Sequence, residues 1–330
     1  MRVEAKYWEK TSDGGVRCTL CPHYCEIDVG KQGICRIRGN ENGTLYSLGY
    51  GETTSLAMDP IEKKPLFHFK PGSYILSVSP NGCNLRCRWC QNWQISQSPV
   101  PTRYISSKKL VEIAKAEDSS GIAFTYTEPI IWFEYILDVA KVAKPEGLAI
   151  VLVTNGYINP EPLKELLQYV DAMNIDLKTM NDDVYKKYIG GRLDPVLETI
   201  ETAAKSKNCL VEVTNLVIPT LNDSAEDFQK VADFISAIDK KIPLHISRYY
   251  PSYRLDIPAT PPEKLMEAYQ IAKEKLDYVY VGNVRIKGTE DTHCPRCGNL
   301  LVKREAFFSN IVGIKDGKCT KCGGEVDFVL

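Results

Sequence analysis

Residues 73–90 read SYILSVSPNGCNLRCRWC, and this stretch decides the fold because it joins a strand signal to a knot of thiols. Ser73 to Ser79 alternates and is rich in strand formers, and Pro80-Asn81-Gly82 breaks it. Cys83, Cys87 and Cys90 therefore sit on a loop leaving the end of a strand. Iron–sulfur clusters are ordinarily held by four thiolates, so a C-x3-C-x2-C group with no fourth cysteine nearby predicts a [4Fe-4S] cube with one iron open to another ligand. Zinc is the alternative occupant, but it ordinarily takes a fourth ligand close by.

Downstream of the loop, short apolar runs alternate with helical-period segments. Strands are expected at Ser73 to Ser79, Ile122 to Tyr126, Leu148 to Val153, Ala172 to Leu177, Leu210 to Ile218 and Leu244 to Ile246. Helices are expected at Ser106 to Asp118, Ile130 to Ala143, Glu161 to Tyr169, Asp194 to Lys205, Ser224 to Ile238 and Pro261 to Lys275. Strand followed by helix, repeated, means parallel strands with right-handed crossovers. The expected fold class is α/β: a partial (β/α)6 barrel with an N-terminal cysteine-rich segment and a C-terminal zinc-ribbon-like module. The expected divisions are 1–70, 71–285 and 286–330, with the proline-punctuated 59–72 as an extended connector carrying His68.

The chain of 330 residues carries 41 basic and 42 acidic residues and a formal net charge of -1, so no global field draws it to nucleic acid or anionic lipid. No apolar run approaches a membrane span and no signal peptide is seen, so a cytoplasmic protein is expected. Twelve cysteines in that compartment read as metal ligands before disulfides. Cys294, Cys297, Cys319 and Cys322 form two C-x2-C-Gly knuckles, a strong signal for tetrathiolate zinc, with mononuclear iron as runner-up. Residues 286–330 hold seven basic against six acidic residues, a poor match to a phosphate backbone. Cys18, Cys21, Cys25 and Cys35 lie in a glycine-rich segment that can build little core of its own. Zinc and an auxiliary [4Fe-4S] cluster both fit four thiolates there; zinc is narrowly preferred, with His23 able to replace one thiol. Cys209 opens an apolar run and reads as a small buried hydrophobe.

Ligands of parallel α/β folds gather at the carboxyl ends of strands. That rule selects Glu128, Thr154 and Asn155, Asp176 and Lys178, Val217, and His245. Each has a structural alternative. Glu128 suits a helix N-terminus, Thr154-Asn155-Gly156 a turn, Asp176 and Lys178 an ion pair, and His245 a satisfied core position.

The loop Cys83 to Cys90, its Trp89 and the strand before it resemble the cluster loop of the radical S-adenosylmethionine (SAM) enzymes. The stretches Cys18-Thr19-Leu20-Cys21-Pro22-His23, Asp59-Pro60-Ile61-Glu62-Lys63-Lys64-Pro65, Cys90-Gln91-Asn92-Trp93 and Asn174-Ile175-Asp176-Leu177-Lys178 resemble the radical SAM member of the AmmeMemoRadiSam set, itself similar to pyruvate formate-lyase activating enzymes. The resemblance implies that SAM chelates the open iron, that Glu128 meets the SAM amino group, and that Thr154, Asn155, Asp176 and Lys178 lie near its carboxylate. It implies His245 near SAM, and Trp89 and Val217 against the adenine. Two departures stand out: Tyr126 and Thr127 replace the relatives' glycines before Glu128, and Val153 replaces an Asp associated with a bound cation.

The resemblance further implies an enzyme that reductively cleaves SAM to a 5′-deoxyadenosyl radical, with ferredoxin or flavodoxin as electron donor. The hydrogen is taken from an unidentified small molecule, protein or RNA; a glycine of a glycyl-radical enzyme is the alternative. The rival class is a non-enzymatic electron carrier or zinc-scaffolded adaptor. It would have a fully ligated central metal and no affinity for SAM.

Overall fold

The computed structural model describes residues 1–12 and 14–330. Eight strands form the central sheet: β1 (Ser55–Pro60), β2 (Tyr74–Ser79), β3 (Gly121–Phe124), β4 (Ala149–Thr154), β5 (Ala172–Asp176), β6 (Leu210–Val217), β7 (Leu244–Arg248) and β8 (Val279–Gly282). They lie side by side in chain order, β1 antiparallel to β2 and every later neighbour parallel. Six of them are the strands read from the sequence. β1 and β8 are additions: β1 lies in the N-terminal segment and overlaps the expected connector only at Asp59 and Pro60, so the sheet begins before residue 71. Pro60 is tolerated there because β1 is the sheet's edge.

The crossovers are α1 (Ser107–Ala116), α2 (Phe133–Ala143), α3 (Pro160–Leu166), α4 (Asp194–Ala204), α5 (Ala225–Asp239) and α6 (Pro262–Lys273). Their starts follow from local chemistry. The Ser106 hydroxyl accepts from Lys109 N at 3.2 Å, and Ser224 and Asp227 form a reciprocal capping box. Pro160 and Pro262 occupy first-turn positions, where a missing N–H costs nothing.

Strand side chains alternate between two faces, and each face has its own core. One packs on the helices through residues such as Ile122, Phe124, Ile150, Leu152 and Ile175. The other holds Ile75, Ala123, Ala149, Val151 and Ala172, closed from below by Ile61, Leu66 and Phe69 of the connector. The plug leaves only the carboxyl-end half of that face free for a ligand.

The N-terminal segment forms two small antiparallel sheets, Val3–Glu4 with Thr44–Ser47 and Arg38–Glu41, and Trp8–Lys10 with Val16–Cys18 and Glu26–Ile27. Arg38, 1% exposed, fastens it to α2 by donating to Glu134 at 3.0 and 3.2 Å. At the other end, Thr292–His293, Leu300–Glu305 and Phe308–Ile311 form a third antiparallel sheet, and Ile314–Lys315 pairs with Lys318–Cys319. No helix among the described residues is long and apolar enough to cross a membrane.

The C-terminal module docks under the sheet through buried polar groups. Arg304 donates to Phe67 O at 2.7 Å and covers the Phe67 ring, and Val329 N donates to His68 O at 2.9 Å. His68 is 1% exposed, stacks on Phe328 and bonds through its ring to Asp327 O and Tyr280 OH, each at 2.7 Å. Burial pushes its imidazole down to about 4. Because the folded value lies below the unfolded one, His68's contribution is fully present above about pH 6.5 and is lost as pH falls toward 4, a loss of order 3 kcal/mol. Denaturation midpoints measured across that window should fall with acidity in the wild type and less steeply in His68→Gln; equal slopes would remove His68 from this role.

Candidate active site

Cys83, Cys87 and Cys90 follow β2 and line a cavity of about 310 Å³ at the carboxyl ends of the strands. Gly82, at φ +122°, makes the turn that starts the loop. Two backbone bonds to the segment after β5, Arg86 N to Ile189 O at 2.8 Å and Arg88 N to Tyr188 O at 2.9 Å, hold the loop's middle. Asn84 ties its beginning to the end of β4, accepting from Asn155 Nδ2 at 2.9 Å and donating to Tyr157 O at 2.8 Å. Cys90 Sγ lies 3.2 Å from Ser96 Oγ.

Burial raises the Cys83 thiol well above its ordinary value and pushes Cys87 up to about 11, with the Lys178 charge opposing the latter. The free Cys83 and Cys87 thiols stay protonated at neutral pH, and metal binding must displace those protons. The cavity lining adds no fourth thiol and no imidazole. Three thiols facing an open space fit a [4Fe-4S] cluster whose remaining iron is left to a non-protein ligand.

Of the other residues selected from the sequence, Trp89, Thr154, Asn155, Asp176 and Lys178 line the same cavity. Lys178 Nζ donates to Asp176 Oδ2 at 2.9 Å. Burial opposes the ammonium charge, but the Asp176 carboxylate and the Cys87 sulfur outweigh it and hold Lys178 protonated. The pair presents both signs beside the thiols, a setting suited to a zwitterionic amino acid group.

Three selected residues sit elsewhere. Glu128 is fully buried and turned away from the cavity: its carboxylate accepts from Thr154 Oγ1 at 2.6 Å, Asn155 N at 2.8 Å and Ile130 N at 3.1 Å. Pro129 begins a 3-10 turn that points the side chain down this path. Burial pushes its carboxyl up to about 7 against those donors. Val217 faces the helices because its neighbour Leu216 takes the cavity side of β6. His245 has the inward parity but lies one layer beneath Ser247, which lines the cavity; its Nε2 is 2.6 Å from Glu212 Oε2, inside the plugged floor.

The structure adds cavity residues that sequence reasoning missed, notably Lys63, Tyr126, Thr214 and Leu216. Asp59 organises the first two. It accepts from Lys63 at 2.7 Å, from the buried Lys64 at 2.6 Å and from the Tyr126 hydroxyl. Burial brings Lys64 down to about 8. Tyr126 holds φ +68°, an uncommon conformation for a bulky residue that the Asp59 contact and the strand end fix. The signal was the stretch Asp59 to Pro65, whose three charges between prolines have no place in a bare connector.

At the far end of the molecule, Cys294 Sγ lies 3.8 Å from Cys322 Sγ, and Cys297 Sγ 3.7 Å from Cys319 Sγ. All four sulfurs fall within 4.8 Å of one another. Tetrahedral zinc with Zn–S near 2.3 Å requires a sulfur–sulfur edge of about 3.8 Å, so this group can bind a metal such as zinc.

Comparison with known proteins agrees with this chemistry. The Radical SAM superfamily profile matches residues 77–235. A Methanocaldococcus jannaschii protein named Uncharacterized protein MJ0808 is 46% identical over 99% of both chains. The pyruvate formate-lyase-activating enzyme of Clostridium pasteurianum is 30% identical over 59% of this chain and 89% of its own. Among solved structures, a radical SAM methyltransferase from Sphaerobacter thermophilus overlays with a TM-score of 0.51 at 15% identity, covering 91% of this chain and 81% of that one. With three cluster-type thiols at the sheet's open end and relatives of this extent, the chain belongs to the radical SAM superfamily, whose cofactors are a [4Fe-4S] cluster and SAM.

Proposed function

We propose that this enzyme binds its [4Fe-4S] cluster through Cys83, Cys87 and Cys90 and seats SAM in the adjoining cavity. When bound, the two supply one-electron cleavage of SAM to methionine and a 5′-deoxyadenosyl radical that takes a hydrogen atom from the substrate. The observation that carries the reading is the convergence of the three thiols with Asn155, Asp176 and Lys178 on one cavity. The zwitterionic pair Asp176 and Lys178 suits the amino and carboxylate groups of methionine, and buried Trp89 offers an aromatic surface for adenine. Glu128 acts as a brace, holding the Thr154-Asn155 turn in position. Lys63 and Tyr126 line the same cavity and are the candidates to meet the substrate.

The chain is read as a partial (β/α)6 barrel between an N-terminal metal segment and a zinc-ribbon-like module, working in the cytoplasm with a ferredoxin or flavodoxin as donor. The substrate is read as distinct from that of the activating enzymes, because their similarity covers 59% of this chain, which carries two cysteine groups besides the central one. Addition of SAM to the dithionite-reduced protein should shift the electron paramagnetic resonance spectrum of the cluster, and an unchanged spectrum would count against SAM binding to iron. Asp176→Asn should weaken SAM affinity by about tenfold or more, about 1.4 kcal/mol, while leaving iron content unchanged; unaltered affinity would remove Asp176 from the cofactor's surroundings.

A further inference from the structure

A cleft of about 330 Å³ borders the central site, and three separate segments supply its arginines: Arg36 from the N-terminal segment, Arg86 and Arg88 from the cluster loop, and Arg254 from the loop after β7. Cys35, next to Arg36, lines a different, mainly apolar cavity with Cys18, Cys21 and Cys25. Hydrogen bonds hold the three segments together. Arg254 N donates to Arg88 O at 2.8 Å and Ser252 Oγ to Cys90 O at 3.3 Å, while the Arg36 guanidinium donates to Ser96 O at 2.6 Å and to Gln97 O.

Arginine keeps its charge at any working pH, yet the lining sets four guanidinium groups around one cleft and includes no carboxylate. Among the described residues, the arginines with ion pairs are Arg2, Arg17 and Arg38, all outside the cleft. Arg88 lies over the Tyr188 ring at 5.1 Å and Arg254 over the Tyr253 ring at 4.9 Å, contacts that hold a guanidinium without neutralising it. Arg86, Arg88 and Arg254 are exposed. In a chain of net charge -1, a cleft of one sign is a local field that draws an anionic partner. The cleft also reaches the cluster site: Cys83 and Ser96 line both it and the central cavity, and Ser96 Oγ lies 3.2 Å from Cys90 Sγ. A partner seated among the arginines therefore meets a cluster ligand without entering the cavity that SAM and the substrate must fill.

We propose that the cleft of Arg36, Arg86, Arg88 and Arg254 is the docking surface for an acidic one-electron carrier protein of the flavodoxin class, which delivers its electron at Cys83. The reaction proposed above consumes one electron per SAM, which a small anion or a phosphate backbone cannot supply. The anionic flavin hydroquinone gives up one electron and becomes the neutral semiquinone, the cluster gains that electron, and no bond or proton moves. Arg36 and Arg254 lie outside the residues 77–235 that match the superfamily profile, so half of the four arginines come from beyond the shared core. Electron delivery rests on the radical SAM reading of the central site, whereas docking is judged by binding alone.

Calorimetric titration of the oxygen-free full chain with flavodoxin should show binding that weakens as potassium chloride is added. Arg254→Glu should bind flavodoxin about tenfold or more weakly, and Arg254→Lys, which keeps the charge, should recover most of the affinity. Lys108→Glu, an equal charge reversal at an exposed lysine of α1 outside the cleft, should bind like the wild type. In the cleavage assay, Arg254→Glu should need about tenfold or more flavodoxin to half-saturate 5′-deoxyadenosine formation, with dithionite supporting the wild-type rate. Wild-type flavodoxin affinity in Arg254→Glu, or an equal loss in Lys108→Glu, overturns the docking surface; if Arg254→Glu does not fold, Arg86→Glu decides it by the same titration. A wild type that binds transfer RNA through Arg254 and leaves flavodoxin unbound gives the cleft to nucleic acid and overturns it as well. Failure of the dithionite-reduced wild type to form 5′-deoxyadenosine contradicts the central reading instead, and the titration still decides the docking surface.

Discussion

Cys87→Ala is expected to bring 5′-deoxyadenosine formation down to background and to remove about four irons per chain. The effect is total because the central cavity offers three thiols and no other thiol or imidazole. Two thiolates leave half the corner irons without a protein ligand. Cys87 is also the sulfur nearest in charge to the Asp176 and Lys178 pair, which contribute to its ionisation and receive its influence in turn. Cys209→Ala is the matching control: this thiol is buried on the strand β6 side, 3.7 Å from Leu210 O, and away from both cavities' thiols. It should lose about 1 kcal/mol of stability and retain cleavage. Iron analysis with a cleavage assay checks both variants, and cleavage by Cys87→Ala would remove the residue from the cluster.

Glu128→Ala is expected to cost about 3 kcal/mol or more in stability and to lower SAM affinity without touching a cluster ligand. Truncation leaves the Thr154 hydroxyl and the N–H groups of Asn155 and Ile130 facing a dry hole, and each buried unsatisfied group costs about 1–3 kcal/mol. The Thr154-Asn155 turn would lose its brace, and Asn155 also bonds to Asn84 in the cluster loop. The damage therefore reaches the cofactor wall indirectly. Glu128→Gln keeps a carbonyl acceptor but turns an amide toward N–H donors, so an intermediate loss is expected. Denaturation midpoints and SAM titrations check the series. A wild-type midpoint in Glu128→Ala would contradict the brace.

Much of the fold was legible because β/α periodicity is strong over the middle of the chain. β1 escaped because its only partner is an edge contact and its end is Pro60. β8, Val279–Gly282, was too short to separate from the polar turns around it. In the site, the strand-end rule led to Thr154, Asn155, Asp176 and Lys178 and the family resemblance to Trp89, all on the cavity wall. The rule fails where exact depth or direction matters. His245 is one residue pair too deep, Val217 has the wrong parity, and Glu128 is turned inward by the proline after it. Lys63 and Tyr126 are 63 residues apart in the chain and are brought together only by folding, through Asp59 and the approach of Lys63 to the Tyr126 ring.

SAM cleavage at the cluster of Cys83, Cys87 and Cys90 is read out by reducing the oxygen-free protein with dithionite, adding SAM, and measuring 5′-deoxyadenosine against iron content. 5′-Deoxyadenosine should accumulate in the wild type and be absent in Cys87→Ala. An intact central cluster that leaves SAM uncleaved would contradict it and favour an electron carrier.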